Sequence, residues 1–306
     1  MKPRSPVLLM GLLSCLFGCG NDHPYTQKDG TWYFKKVAMS LEKGESLTPI
    51  NKKFAKSNRT AYFESSMIAS DVDVATFEPL SDHYAKDNKN VWYCDTYRDG
   101  KEYFTVKRYR TPRIVGADAP SFRMLNNYYA RDTTWVYSDG VGFKVRDINT
   151  YERIGDMHAR DKVSGYYLRA EIPGSDGPTF NFITSSYAKD AKHVYWSKFD
   201  TDAGTHPAIE RTVTLPDADP ATFVMLESSY AHDAGQVYYE ARVLSKSPAT
   251  FRVLERDYAV SDSSVYYRGE VLKGADRASF VVLPIGDGPT AQDKLGTFNY
   301  EKRVQQ

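Results

Sequence analysis

The sequence predicts an all-β protein made of tandem β-hairpin repeats joined by short helical turns and set out as an elongated or curved array. Three observations carry this. A Tyr-Ala-(basic)-Asp string recurs along the chain, as at Tyr84-Ala85-Lys86-Asp87, Tyr187-Ala188-Lys189-Asp190 and Tyr230-Ala231-His232-Asp233. After three intervening residues, each string's Asp is followed by a Val-aromatic-aromatic run: Val91-Trp92-Tyr93, Val194-Tyr195-Trp196, Val237-Tyr238-Tyr239. A second aromatic, such as Phe77, Phe180 or Phe223, precedes each Tyr by seven residues. Self-similarity at fixed offsets is the signature of repeat architectures, in which each unit buries its apolar face only against neighbours. A closed propeller-like ring is the alternative arrangement, because a four-stranded blade could use two such units.

Each element of the unit follows from its residues. Asp73, Asp118, Asp147, Asp176, Asp219 and Ser247 stand four residues before the upstream aromatic, with Pro220 and Pro248 directly after the last two. A capping side chain followed by Pro, where no N–H donor is needed, predicts one helical turn. Extended chain should follow from Leu226 to Tyr230 and from Val237 to Val243, where β-branched and aromatic residues gather. Between these runs the repeated Asp should form a turn by accepting a backbone N–H two residues on. The Ala that holds in every copy predicts a position crowded by neighbouring backbone. The aromatics after each Val should form ladders between neighbouring units. The same frame fits Tyr129-Ala130, His158-Ala159 and Tyr258-Ala259, and weaker copies begin at Phe54-Ala55 and Thr290-Ala291, with Ser57 and Ser261 replacing the Asp.

Two long gaps break the frame, near 94–114 and 197–213. The first holds Lys101–Arg110, whose alternation predicts a long hairpin, and the second holds Asp200-Thr201-Asp202-Ala203-Gly204, which reads as a turn. Recognition residues concentrate on loops carried by a rigid scaffold, so the insertions are the expected contact sites. Lys107, Arg108, Arg110 and Arg113 form the clearest local excess of positive charge and are the candidate binding residues, suited to phosphate or carboxylate on an envelope polymer.

The N-terminus reads as an address. Met1-Lys2-Pro3-Arg4 is basic, and Val7–Phe17 is uncharged and rich in Leu. That run is shorter than the roughly 20 residues a spanning helix needs and matches the apolar core of a secretory signal. Leu16-Phe17-Gly18-Cys19 resembles the lipobox of bacterial lipoproteins, in which the Cys becomes the lipidated N-terminus. The resemblance implies a signal peptide over 1–18, lipid attachment at Cys19, a tether over 19–24 and a continuous repeat domain over 25–306. Cys15 is a second possible site, but Cys19 leaves a full apolar core upstream and a polar tether downstream. Gly20 rather than Asp after the Cys implies the periplasmic face of the outer membrane. Several acyl chains on one Cys anchor firmly where a single chain is marginal.

Asp87-Asn88-Lys89-Asn90-Val91-Trp92-Tyr93, with Tyr84-Ala85 before it and Pro-x-Thr-Phe-like strings around it, resembles the DKNYY-type repeat family of bacterial lipoproteins. The resemblance covers about residues 25–300. It implies the repeat and the anchor, and no catalytic residue.

Composition narrows function. Forty Lys and Arg against thirty-nine Asp and Glu leave no basic field for bulk nucleic-acid binding. Three Cys cannot build a disulfide framework or a four-thiolate zinc site. No Gly-x-Ser-x-Gly, phosphate-binding Gly loop or His-Glu-x-x-His occurs. The six His are scattered and read as surface or interface variants. The repeated Asp could in principle form a calcium ladder, but each loop brings only one or two carboxylates and the Gly-rich nonapeptide of such folds is missing. The expectation is therefore a non-enzymatic, envelope-anchored lipoprotein without cofactor. It would bind or scaffold a protein, glycan or envelope polymer, with no nucleic-acid partner. The alternatives are an immunity-type inhibitor of a toxin and, further off, an envelope hydrolase.

Overall fold

A computed structural model describes residues 24–200 and 209–304. The signal segment, Cys15, Cys19 and the expected turn at Asp200–Gly204 lie outside the described residues, apart from the backbone of Asp200. Among the described residues no helix is long and apolar enough to cross a membrane. The chain falls into two compact bodies, residues 24–142 and 143–304.

The described architecture is all-β, made of short antiparallel meanders in chain order. One repeat of the second body shows the pattern. Val224–Met225, Tyr230–His232, Val237–Tyr239 and Arg242–Ser245 pair in sequence order as one four-stranded sheet. The repeat therefore has four strands where the sequence pattern predicts two. The expected strand over Leu226–Tyr230 is broken by Ser228 and Ser229, both at positive φ, and the one over Val237–Val243 is broken by Glu240, also at positive φ. The left-handed region reverses the chain at these points without a Gly to announce it. The expected helical turns are single turns. Asp73, Asp118, Asp219 and Asp276 each offer their carbonyl to the N–H three residues on, and only Gly177–Thr179 and Pro248–Thr250 form 3-10 helices in the repeat frame. The expected side-chain caps are absent from these two helices. Asp176 takes the Thr179 hydroxyl instead, at 2.5 Å.

The two central strands of a repeat are largely buried on both faces, as at Tyr84-Ala85 and Val91-Trp92-Tyr93, which explains why the Val-aromatic-aromatic runs do not alternate with polar residues; the outer strands are more exposed. Tyr84, Val91 and Tyr93 pack against Phe122, Ala130 and Tyr137 of the next repeat. Tyr230 and Val237 pack in the same way against Phe251, Ala259 and Tyr266. The constant Ala lies among rings of the preceding repeat. Ala130 packs with Tyr84 and Tyr93, and Ala259 with Tyr230. The aromatic ladder exists in a different form from the expected stack: Tyr230 meets Phe251 at 5.6 Å and Phe251 meets Tyr266 at 5.7 Å, both tilted. Tilted and edge contacts suit the ring quadrupole better than a face-to-face stack.

Tyr84, Tyr187, Tyr230 and Tyr258 also reach the next repeat, where the hydroxyl meets the turn between the third and fourth strands. Gly140 N–H donates to Tyr84 at 2.9 Å, Tyr187 donates to the Glu240 carbonyl at 2.9 Å, and Tyr258 donates to the Tyr300 carbonyl at 2.7 Å. The turn residues Asp139, Glu240 and Tyr300 all have positive φ. The two insertions replace this turn, at Cys94 and Ser197, and the repeats just before them carry Phe54 and His158 in place of Tyr. A side chain with no turn to reach has no use for a phenol.

Candidate functional site

The loop Asp is the most heavily bonded polar group of the repeat. Asp190 Oδ1 accepts the N–H groups of Lys192 and His193 at 2.7 and 2.8 Å. Its Oδ2 accepts the N–H of Asp176 at 3.0 Å and the hydroxyl of Tyr195 at 2.6 Å. Asp132, Asp161 and Asp233 repeat this set with Tyr137, Tyr166 and Tyr238. A carboxylate offers about four lone-pair sites, and here all are taken. Burial alone would raise the carboxyls of Asp132, Asp190 and Asp233, but these donors hold them below the usual range. Where Ser57 replaces the Asp, Glu45 supplies the carboxylate and accepts the hydroxyls of Ser57 and Tyr62. Where the Tyr becomes Phe298, Arg303 engages both oxygens of Asp293. Carboxylates so occupied have no face left for a cation. Among the described residues no group of three or more His, Cys, Asp or Glu is disposed to hold a metal.

The first insertion departs from this frame. Asp95–Tyr97 pairs with Arg108–Arg110 as a separate two-stranded hairpin, and Gly100–Glu102 forms a 3-10 turn towards its tip. The alternating stretch is thus not a hairpin in itself; it supplies the tip and one arm. The second insertion lengthens the third and fourth strands of its repeat to Val194–Asp200 and Ile209–Thr214, paired from Tyr195↔Thr214 to Asp200↔Ile209.

The four candidate cations lie along the returning arm, and each meets a carboxylate. Lys107 Nζ pairs with Glu64 at 2.5 Å, while Lys53 holds the other Glu64 oxygen at 2.7 Å. Glu64 is only 1% exposed, and the two ammonium groups keep its carboxyl below the usual range although burial opposes them. Arg113 grips both oxygens of Asp71 at 2.7 Å and lies 5.9 Å over the Trp92 ring. Arg108 pairs with Glu102, and Arg110 with Asp95 at 2.8 Å. Lys107 and Arg113 therefore reach back to the repeat at 47–67 and the link after it. Tyr109 does the same through Ser65, at 3.0 Å, and Thr111 through the Ile68 carbonyl, at 3.0 Å. These contacts fasten the hairpin. Arg108 and Arg110 stiffen it internally.

The sequence pattern passes over what the hairpin presents to solvent. Tyr103 and Phe104 stand at its tip, 5.2 Å apart edge to face, with Phe104 89% exposed. Tyr97 is also exposed. Two adjacent aromatics within a charged stretch were the available signal. Cys94, at the hairpin base, is buried and its thiol is pushed up by burial, so it is inert. His158 is fully buried between Tyr167 of its own repeat and Phe180 of the next, so it stands at an interface between repeats and not at the surface.

No curated protein and no solved structure matches the chain. The family model of the DKNYY family matches it three times, over residues 16–96, 97–242 and 159–302. These matches span both bodies and every repeat described above, and the chain belongs to the DKNYY family.

Proposed function

We propose that this chain is a non-enzymatic lipoprotein of the cell envelope, anchored through Cys19, that binds or scaffolds a partner through the inserted hairpin at 95–110. The hairpin tip carries the reading: it is fastened to the repeats by Lys107, Tyr109, Thr111 and Arg113, yet it exposes Tyr103 and Phe104. An element held rigidly from behind, with aromatics in front, has the make-up of a contact hot spot, because little ordering entropy remains to be lost on binding. The loop Asp of the repeats favours the same view, since its carboxylate is already engaged within the repeat. The pairing of Lys107, Arg108, Arg110 and Arg113 moves the emphasis from an anionic polymer towards an apolar contact at the tip.

The two parts are tested separately. A fatty-acid probe should label the chain, and Cys19→Ala should abolish the label while Cys15→Ala leaves it; label surviving in Cys19→Ala ends the anchoring proposal. A photo-crosslinking residue at position 104 should give a discrete adduct in intact cells, and one at Lys192 should not. An anchored, folded chain with no adduct at position 104 overturns the hairpin contact.

A further inference from the structure

We propose that the body at 24–142 carries a binding cleft for a neutral saccharide, on a surface separate from the hairpin tip. A cleft of about 660 Å³ runs across the turns between first and second strands of three successive repeats, bordered by Asn51, Asp82, His83, Asn126, Asn127 and Tyr128. Its volume lies within the roughly 300–1,000 Å³ of small-molecule sites.

The chemistry of the wall selects the ligand class. Asn51 Oδ1 accepts the N–H groups of Lys53 and Phe54, both at 2.8 Å, and Asn126 Oδ1 accepts those of Tyr128 and Tyr129 at 2.9 and 2.8 Å. These bonds fix both carboxamides and leave each Nδ2 as an oriented donor. His83 Nδ1–H donates to the Cys94 carbonyl at 2.9 Å, which orients the ring and leaves Nε2 as its second polar atom. Asp82 adds a carboxylate. Tyr128 is 64% exposed and supplies an aromatic face. Pro79, Leu80, Met124 and Leu125 form apolar ground between these groups. Donors, acceptors, one ring and apolar patches together match a polyol whose hydroxyls alternate with C–H faces. No Lys or Arg borders the cleft, and Asp82 is its only acid. That disfavours phosphate or carboxylate ligands.

The position within the repeat supports the same assignment. The residue just before the string's Tyr, or its substitute, is Lys53, His83 and Tyr128 in this body but Met157, Ser186, Ser229, Asp257 and Pro289 in the other. Aromatic rings occupy that position only in two of the three repeats that border the cleft. Common packing does not demand them there, because the other copies do without.

The test uses the purified full chain in a polyoxyethylene detergent, with maltotriose and the trimer of N-acetylglucosamine as probes and inorganic phosphate as the anionic control. Saturation-transfer NMR and calorimetry should detect at least one trisaccharide, with Kd near about 1 mM. Tyr128→Ala and Asp82→Ala should each weaken binding about tenfold at an unchanged melting temperature, since both side chains are exposed, and Asn127→Ala gives a third variant. Phosphate should not compete. Failure of both sugars to bind at about 10 mM, equal binding by the variants, or displacement by phosphate would each overturn the assignment.

Discussion

Removing the Asp190 carboxylate tests the account of how a repeat holds together. Asp190→Ala strips an acceptor from four donors at once: the N–H groups of Lys192, His193 and Asp176 and the hydroxyl of Tyr195. The three N–H groups belong to exposed residues that water can reach, so each should cost only about 0.5–1 kcal/mol. The Tyr195 hydroxyl belongs to a side chain 1% exposed, and an unpaired buried donor costs about 1–3 kcal/mol. His193 Nδ1, at 3.3 Å, softens that loss. Allowing for non-additivity, the substitution should cost about 3 kcal/mol, well above the ~1 kcal/mol of an ordinary cap. Asp87 offers an internal comparison. Trp92 stands where the Tyr would be, and only the amide of Asn90 approaches, at 3.5 Å. Asp87→Ala should therefore cost about 1 kcal/mol less. Urea unfolding followed by aromatic fluorescence gives the totals, and amide exchange at Lys192 and His193 localises the effect. Adding calcium should leave the melting temperature unchanged, because the carboxylate has no free face. The donors hold the Asp190 carboxyl below its usual value, so its contribution should be complete above about pH 4 and be lost as pH falls further. A cost within about 0.5 kcal/mol of zero, or a larger cost for Asp87→Ala than for Asp190→Ala, would refute the reasoning.

Two further outcomes follow from single residues. His158 is buried with neither ring nitrogen partnered among the described residues, and burial lowers its pKa from the ordinary 6.5 to about 4. Between those values the unfolded chain holds more protons, so stability should fall as pH drops from 6.5 towards 4, by at most about 3 kcal/mol. His158→Phe should flatten that window in pH-dependent melts; an unchanged pH profile would show that the ring is solvated. Lys107→Ser should destabilise by about 1–2 kcal/mol, because Glu64 stays buried with Lys53 alone. Arg108→Ser should stay within about 0.5 kcal/mol, since its partner Glu102 is exposed. Equal effects on thermal unfolding would contradict the distinction between a fastening cation and a surface one.

The sequence by itself determined the repeat, its frame and the all-β class, because packing against an identical neighbour forces the same residue into the same place each time. It located both insertions for the converse reason: they break the frame. It did not show four strands per repeat. The reversals at Ser228, Ser229 and Glu240 use left-handed backbone without Gly, and turn chemistry is legible only where a residue advertises it. It assigned the Asp one turn bond, but its partners also include the His193 N–H in the same turn, Asp176, fourteen residues back, and Tyr195, five ahead. It read Lys107, Arg108, Arg110 and Arg113 as a basic patch, because charge along a chain is visible and pairing across 42 or 43 residues, as with Asp71 and Glu64, is not. Only the tertiary structure decided which cations are neutralised, which aromatics face water, and that Asn51, His83 and Tyr128 meet at one cleft. Each of these depends on how one repeat stacks on the next, and stacking juxtaposes residues about thirty or more positions apart whose proximity no local pattern records.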